Sequence, residues 1–275
     1  REQGLTGKGI TIAVVDTAIN LDAPELQGAE IEVRGQDCRD PKTGTELPAE
    51  SDDIERRHGT DVVSMLVGNG VAGDGGLGTR GIVPDAKILF YAADSDAVDE
   101  KGVGVCEAYD PETGVFEKDR EVEFGDPGAL AIRLGPAFAV SQAIADGADI
   151  VSVSSVHGMW DAEPWLVAQI HAMRAGVPFV AGTENPIASG TVEYTLPYSV
   201  NGVVAVGGVD VDANIIRGVN IFGSGPADAP GSSNLAFVAP GDQMLVPSSN
   251  EGWGPALGNG TSLATPLIAG TIALG

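Results

Sequence analysis

Ile10-Thr11-Ile12-Ala13-Val14-Val15 is a short run of apolar and β-branched residues, bounded by Gly9 before it and Asp16 after it. Such a run has no polar face to offer solvent, so it reads as a strand covered on both sides, the condition found in parallel sheets. Similar runs recur at 86–92, 150–153, 178–181, 203–206 and 235–238. Between them lie helix-like stretches at about 59–67, 136–147 and 164–175, the last closed by Gly176 and Pro178. Strand and helix alternate with short turns, which predicts an α/β chain: a mostly parallel central sheet with helices on both faces, in three layers. No internal repeat or linker divides residues 1–275, which read as one domain.

Composition narrows the function classes. The 275 residues are 43% hydrophobic and 20% charged, with a mean hydropathy of +0.09, far from the signature of disorder. The formal net charge of −24 repels phosphate backbones and anionic lipid, so neither nucleic acid nor a membrane surface is an expected partner. No apolar run approaches the roughly 18–20 residues of a membrane span, and Arg1-Glu2-Gln3 does not open a signal peptide, so a mature or trimmed form is expected. Residues 94–126 hold twelve acidic side chains against three basic ones and read as an inserted acidic surface excursion. Cys38 and Cys106 are the only cysteines and neither belongs to a CxxC, which argues against a zinc site.

In an open parallel sheet, ligands gather beyond the carboxyl ends of the strands, so polar residues that follow apolar runs are the first candidates for chemistry. Asp16 follows the first run; a carboxylate there can hold a histidine ring and stabilise its imidazolium. His58, in Arg57-His58-Gly59-Thr60, stands at the start of an apolar helical stretch, with Gly59 leaving room beside the ring. Ser262, in Asn259-Gly260-Thr261-Ser262-Leu263-Ala264-Thr265-Pro266, falls in the first turn of another apolar helix. Backbone N–H groups and the helix dipole there can stabilise a developing oxyanion. A serine needs a base to become a nucleophile, and His58 is the candidate.

Val14-Val15-Asp16-Thr17, His58-Gly59-Thr60 and Gly260-Thr261-Ser262-Leu263-Ala264-Thr265-Pro266 together resemble the three motifs of the subtilisin-like serine proteases, the subtilases, in the chain order Asp, His, Ser. The likeness extends to Gly4–Gly9, to Gly81-Ile82-Val83-Pro84, and to the segments 203–210 and 237–241. It implies the three-layer subtilisin-like fold and a serine endopeptidase acting on peptide or protein substrates. In that mechanism Ser262 attacks the scissile carbonyl, His58 carries the proton, Asp16 orients the ring, and an acyl-enzyme forms. No cofactor is required for catalysis, and Ca²⁺ is expected only as a structural ion, with Asp37, Asp40 and Asp74 as candidate ligands. A secreted or extracytoplasmic location is expected from the same resemblance, and with it a Cys38–Cys106 disulfide.

Two departures qualify the likeness. Where the family places an oxyanion-hole asparagine, Val180-Ala181-Gly182-Thr183-Glu184-Asn185-Pro186 has Thr183, a shorter donor; Asn185 is the substitute if the loop shifts, and reduced activity is implied. The family also continues well past the serine helix, whereas this sequence stops thirteen residues after Ser262: either the C-terminal helices lie on a separate piece or they are absent, and a propeptide or a separate C-terminal fragment is a candidate partner. Ser154, Ser155 and Val156 match the segment that runs along the substrate, Val156 adding bulk where the family has glycine; Gly182 and Glu184 match the pocket's rim. The alternative to an active protease is a degenerate fold kept as a non-catalytic peptide-binding or scaffold protein. Gly73-Asp74-Gly75-Gly76-Leu77-Gly78 satisfies the dinucleotide pattern GxGxxG, but it precedes a strand instead of following one. Asn259-Gly260-Thr261 is formally a glycosylation sequon, expected to be inaccessible beside the serine.

Overall fold

The computed structural model describes residues 4–16, 19–34, 54–73, 75–92, 108–110, 115–117, 127–158, 162–183, 195–214, 235–247 and 256–275. The chain begins with β1 (Thr11–Asp16), a 3-10 turn (Pro24–Leu26), β2 (Ile31–Arg34), α1 (Ile54–Val67), the hairpin β3 (Asn69–Val71) and β4 (Leu77–Arg80), and β5 (Lys87–Ala92). It continues through β6 (Ala108–Asp110), β7 (Val115–Glu117), α2 (Pro127–Ala145), β8 (Ile150–Val153), β9 (His157–Gly158), α3 (Ala162–Ala175) and β10 (Phe179–Gly182). The last part holds β11 (Thr195–Leu196), β12 (Val204–Val209), β13 (Leu235–Pro240), β14 (Met244–Val246), β15 (Ala256–Gly258) and α4 (Thr261–Ala273).

Seven strands form one sheet in the order β13-β12-β10-β8-β1-β5-β2, and every pairing in it is parallel. The mostly parallel α/β architecture read from the apolar runs is therefore the observed one. Period-two alternation sends Ala13 and Val15 of β1 into a core packed against α2 and α3, and Ile12 and Val14 into a second core packed against α1 and α4. By the same alternation Asp16 falls on the α1/α4 face. Beside β1 the strand order reverses, with β5 and β2 on one side and β8, β10, β12 and β13 on the other. Asp16, at the carboxyl end of β1, thus stands at the topological switch point, where an open sheet leaves a crevice.

α4 is apolar almost all round, as a helix buried against a sheet must be. Residues Thr261 to Pro266, Ala269 and Gly270 are buried, and the helix packs on β8, β10, β12, β13 and α1. Two glycines permit this closeness: a Cβ on Gly270 would come within 2.3 Å of Ile82 Cγ2, and one on Gly182 within 2.7 Å of Thr265 Oγ1.

Several boundaries differ from the sequence expectation. α2 begins at Pro127, not Pro136, which lies inside the helix; proline after glycine imitates a helix start because proline is favoured in a first turn. The short edge strand β2 carries too few apolar residues to stand out in the sequence. The GxGxxG stretch joins β3 to β4 in an antiparallel hairpin, so the strand-to-helix turn of a dinucleotide loop is missing. Of the acidic excursion, the described residues form the antiparallel pair β6–β7, and the rest lies outside the described residues.

Candidate active site

Asp16 is fully buried at the end of β1, and its Oδ1 lies 2.7 Å from His58 Nδ1. A carboxylate can only accept, so the proton of that bond sits on Nδ1 and the Nε2 of a neutral ring is left as a base. The His58 side chain is 27% exposed, so its ring links a dry carboxylate to solvent. α1 supplies His58 in the described part of its N-terminal half, further into the helix than the sequence suggested, since the helix starts at Ile54.

Ser262 occupies the first turn of α4, behind a Gly260 whose φ of 148° suits glycine alone and whose N–H donates to the Gly241 carbonyl at 2.7 Å. Its hydroxyl, buried with the residue, donates to the Ser154 carbonyl at 3.1 Å, while the Ser154 hydroxyl donates back to the Ser262 carbonyl at 3.0 Å. Ser154 directly follows β8, the neighbour of β1, so the end of β8 and the start of α4 clasp each other. Thr261, one residue earlier, donates its hydroxyl to the Thr183 carbonyl and so ties the same turn to the end of β10.

Thr183 is buried, and its N–H donates to the Val206 carbonyl at 2.9 Å. Its hydroxyl has no hydrogen-bond partner among the described residues, an arrangement that costs on the order of 1–3 kcal/mol and is relieved by any acceptor that reaches it. Gly182 is buried beside it, Ser155 is half-buried, and Val156 is 39% exposed. Glu184 and Asn185 lie outside the described residues, as do the candidate cation ligands Asp37, Asp40 and Asp74 and both cysteines, Cys38 and Cys106. Among the described residues no group of three or more His, Cys, Asp or Glu converges in a way that could hold a metal. Asn259, expected to be inaccessible, is exposed; its Oδ1 accepts from the Gln243 N–H at 2.6 Å. Sequence reasoning missed the Ser154–Ser262 clasp and the side-chain bonds of Thr261, because nothing local to either stretch signals a contact across 108 or 78 residues.

No described helix is long and apolar enough to cross a membrane. In comparisons with known proteins, the chain is 28% identical over 274 residues to the major intracellular serine protease of Bacillus subtilis (strain 168), covering 99% of this chain and 70% of that one. It is also 28% identical to the intracellular serine protease of Paenibacillus polymyxa, covering 98% and 67%. These two relatives overturn the expectation of a secreted location, since both span nearly the whole chain and both are named as intracellular. The rationale for a disulfide that rested on secretion falls with it. Among solved structures, a mutant of the protease domain of PatA superposes with a TM-score of 0.68 at 22% identity, covering 98% of this chain and 80% of that one, a likeness of fold. The model of the Subtilase family (Peptidase_S8) matches residues 7–275. The chain therefore belongs to the subtilase family, and it is a serine-type endopeptidase.

Proposed function

We propose that this endopeptidase works through Asp16, His58 and Ser262 and an acyl-enzyme intermediate. The observation that carries the proposal is the 2.7 Å bond from His58 Nδ1 to the buried Asp16 carboxylate at the switch point of the sheet. It fixes the tautomer in which Nε2 is the basic nitrogen, on the face where α4 presents Ser262. In the reaction the Ser262 hydroxyl exchanges the Ser154 carbonyl for His58 Nε2, and its oxygen adds to the scissile carbonyl carbon as the proton passes to the ring. The imidazolium so formed is stabilised by Asp16, which stays ionised, and returns the proton to the leaving amine. Water repeats the sequence on the ester and releases the acid, restoring Ser262.

The oxyanion is received by the backbone N–H of Ser262 at the N-terminus of α4 and by the Thr183 hydroxyl, whose lack of a partner among the described residues supports that role. If the loop after Thr183 shifts, Asn185 supplies the amide instead. An extended peptide adds as a strand along Ser154, Ser155 and Val156, with Gly182 and Glu184 at the rim and Val156 narrowing the pocket beside them.

Hydrolysis of a chromogenic peptide tests the mechanism. Ser262→Ala and His58→Ala should each lower kcat by on the order of 10⁴–10⁶, and the double variant should be no worse than the weaker single one, because the two groups act as a unit. Hydrolysis that persists in purified Ser262→Ala would overturn the assignment.

A further inference from the structure

The carbonyl of Ser262 occupies an unusual position. In an α-helix the carbonyl of residue i accepts from the N–H of residue i+4, but four residues beyond Ser262 stands Pro266, inside α4, which has no N–H to give. The nucleophile's own carbonyl is thereby left without its helical donor, in a turn where Ser262 and Pro266 are both buried and an unpaired carbonyl is costly. The Ser154 hydroxyl fills the gap: it is buried, donates to the Ser262 carbonyl at 3.0 Å, and belongs to a residue whose carbonyl in turn accepts from the Ser262 hydroxyl.

We propose that Ser154 is a positioning residue of this enzyme, its hydroxyl replacing the helix hydrogen bond that Pro266 removes and so fixing Ser262 against the strand end that receives substrate. The proposal rests on Ser262 being the nucleophile. Gly260 offers no side-chain cap to the start of α4, so the first turn depends on contacts from other segments. Thr261 holds it to β10, the Gly260 N–H holds it to Gly241, and Ser154 alone among these reaches the nucleophilic residue itself. Reactivity is sensitive to displacements of about 1 Å at a reacting atom, so loosening this anchor affects the chemical step more than the affinity for peptide. The backbone groups of residues 154–156 that bind an added strand are unaffected by the loss of one side-chain oxygen.

A double-mutant cycle separates this role from a merely structural one. Ser154→Ala should slow both kcat on a peptide and the rate of labelling by a fluorophosphonate probe about tenfold, with KM changed less than twofold, and Ser154→Thr, which keeps the hydroxyl, should recover most of the loss. Pro266→Ala restores an N–H at position 266; measured against that background, the Ser154→Ala loss should shrink to less than about twofold, because the helix now supplies the donor. Circular dichroism and thermal midpoints certify that each variant is folded before it is compared. Wild-type rates in Ser154→Ala, or a loss of equal size in both backgrounds, would overturn the proposal. Absence of Ser262 labelling in the wild-type chain is a different failure, which defeats the nucleophile assignment itself.

Discussion

At the scale of single residues, the site is a set of polar groups whose partners are set by chemistry more than by proximity alone. Asp16 can only accept, which decides the His58 tautomer. Pro266 cannot donate, which leaves the Ser262 carbonyl to Ser154. Thr183 has a hydroxyl with nothing to bind among the described residues. Stability and activity should therefore move apart when this hydroxyl is removed. Thr183→Val removes a buried, unpaired hydroxyl at nearly constant shape, so the thermal midpoint should hold or rise, while kcat falls about 10²-fold through loss of an oxyanion donor. Thr183→Asn should match or exceed the wild-type kcat. Wild-type turnover in both variants would place the donor elsewhere, with Asn185 next in line.

At the scale of elements, the strands and helices that carry the site were legible because their signals are local. The run at 10–15 became β1, the run at 150–153 became β8 at the same residues, and the apolar stretch after Gly260 became α4. Less legible were elements that depend on neighbours. β2 is a four-residue edge strand held by pairing with β5, and Pro136 concealed the first part of α2. One tie between elements carries a pH signature. The Tyr91 hydroxyl on β5 donates to Asp146 Oδ2 at 2.6 Å, just past α2, while Gln142 Nε2 donates to Oδ1 at 2.8 Å. Burial, and then the Asp146 carboxylate, push the tyrosine up from its ordinary 10.0. A group whose folded pKa is raised contributes its full stability below the unfolded value and loses it as pH climbs above that value. The thermal midpoint of wild type should therefore exceed that of Tyr91→Phe at neutral pH, and the gap should narrow as pH rises beyond about 10. A gap that stays constant to about pH 11 would show that the tyrosine is not held protonated by the fold.

At the scale of the whole molecule, the parallel sheet organises everything else. Strand alternation gives α1 and α4 one face and α2 and α3 the other, and the reversal of strand order opens the crevice at β1 where Asp16 stands. The three candidate residues could be named from the sequence because each sits in a compact motif; their mutual geometry could not, since 42 residues separate Asp16 from His58 and far more separate both from Ser262. Location was not legible for a related reason: the secreted expectation came from the resemblance and from no residue of the chain, and relatives named as intracellular, matched along nearly its whole length, overturn it. On the proposed mechanism, Asp16 and His58 activate Ser262 in one catalytic centre. The most direct test is peptide mapping by mass spectrometry after exposure to a fluorophosphonate. A single adduct on Ser262, lost in His58→Ala as well as in Ser262→Ala, is the predicted result. An adduct on any other serine, or undiminished labelling of Ser262 without His58, would contradict it.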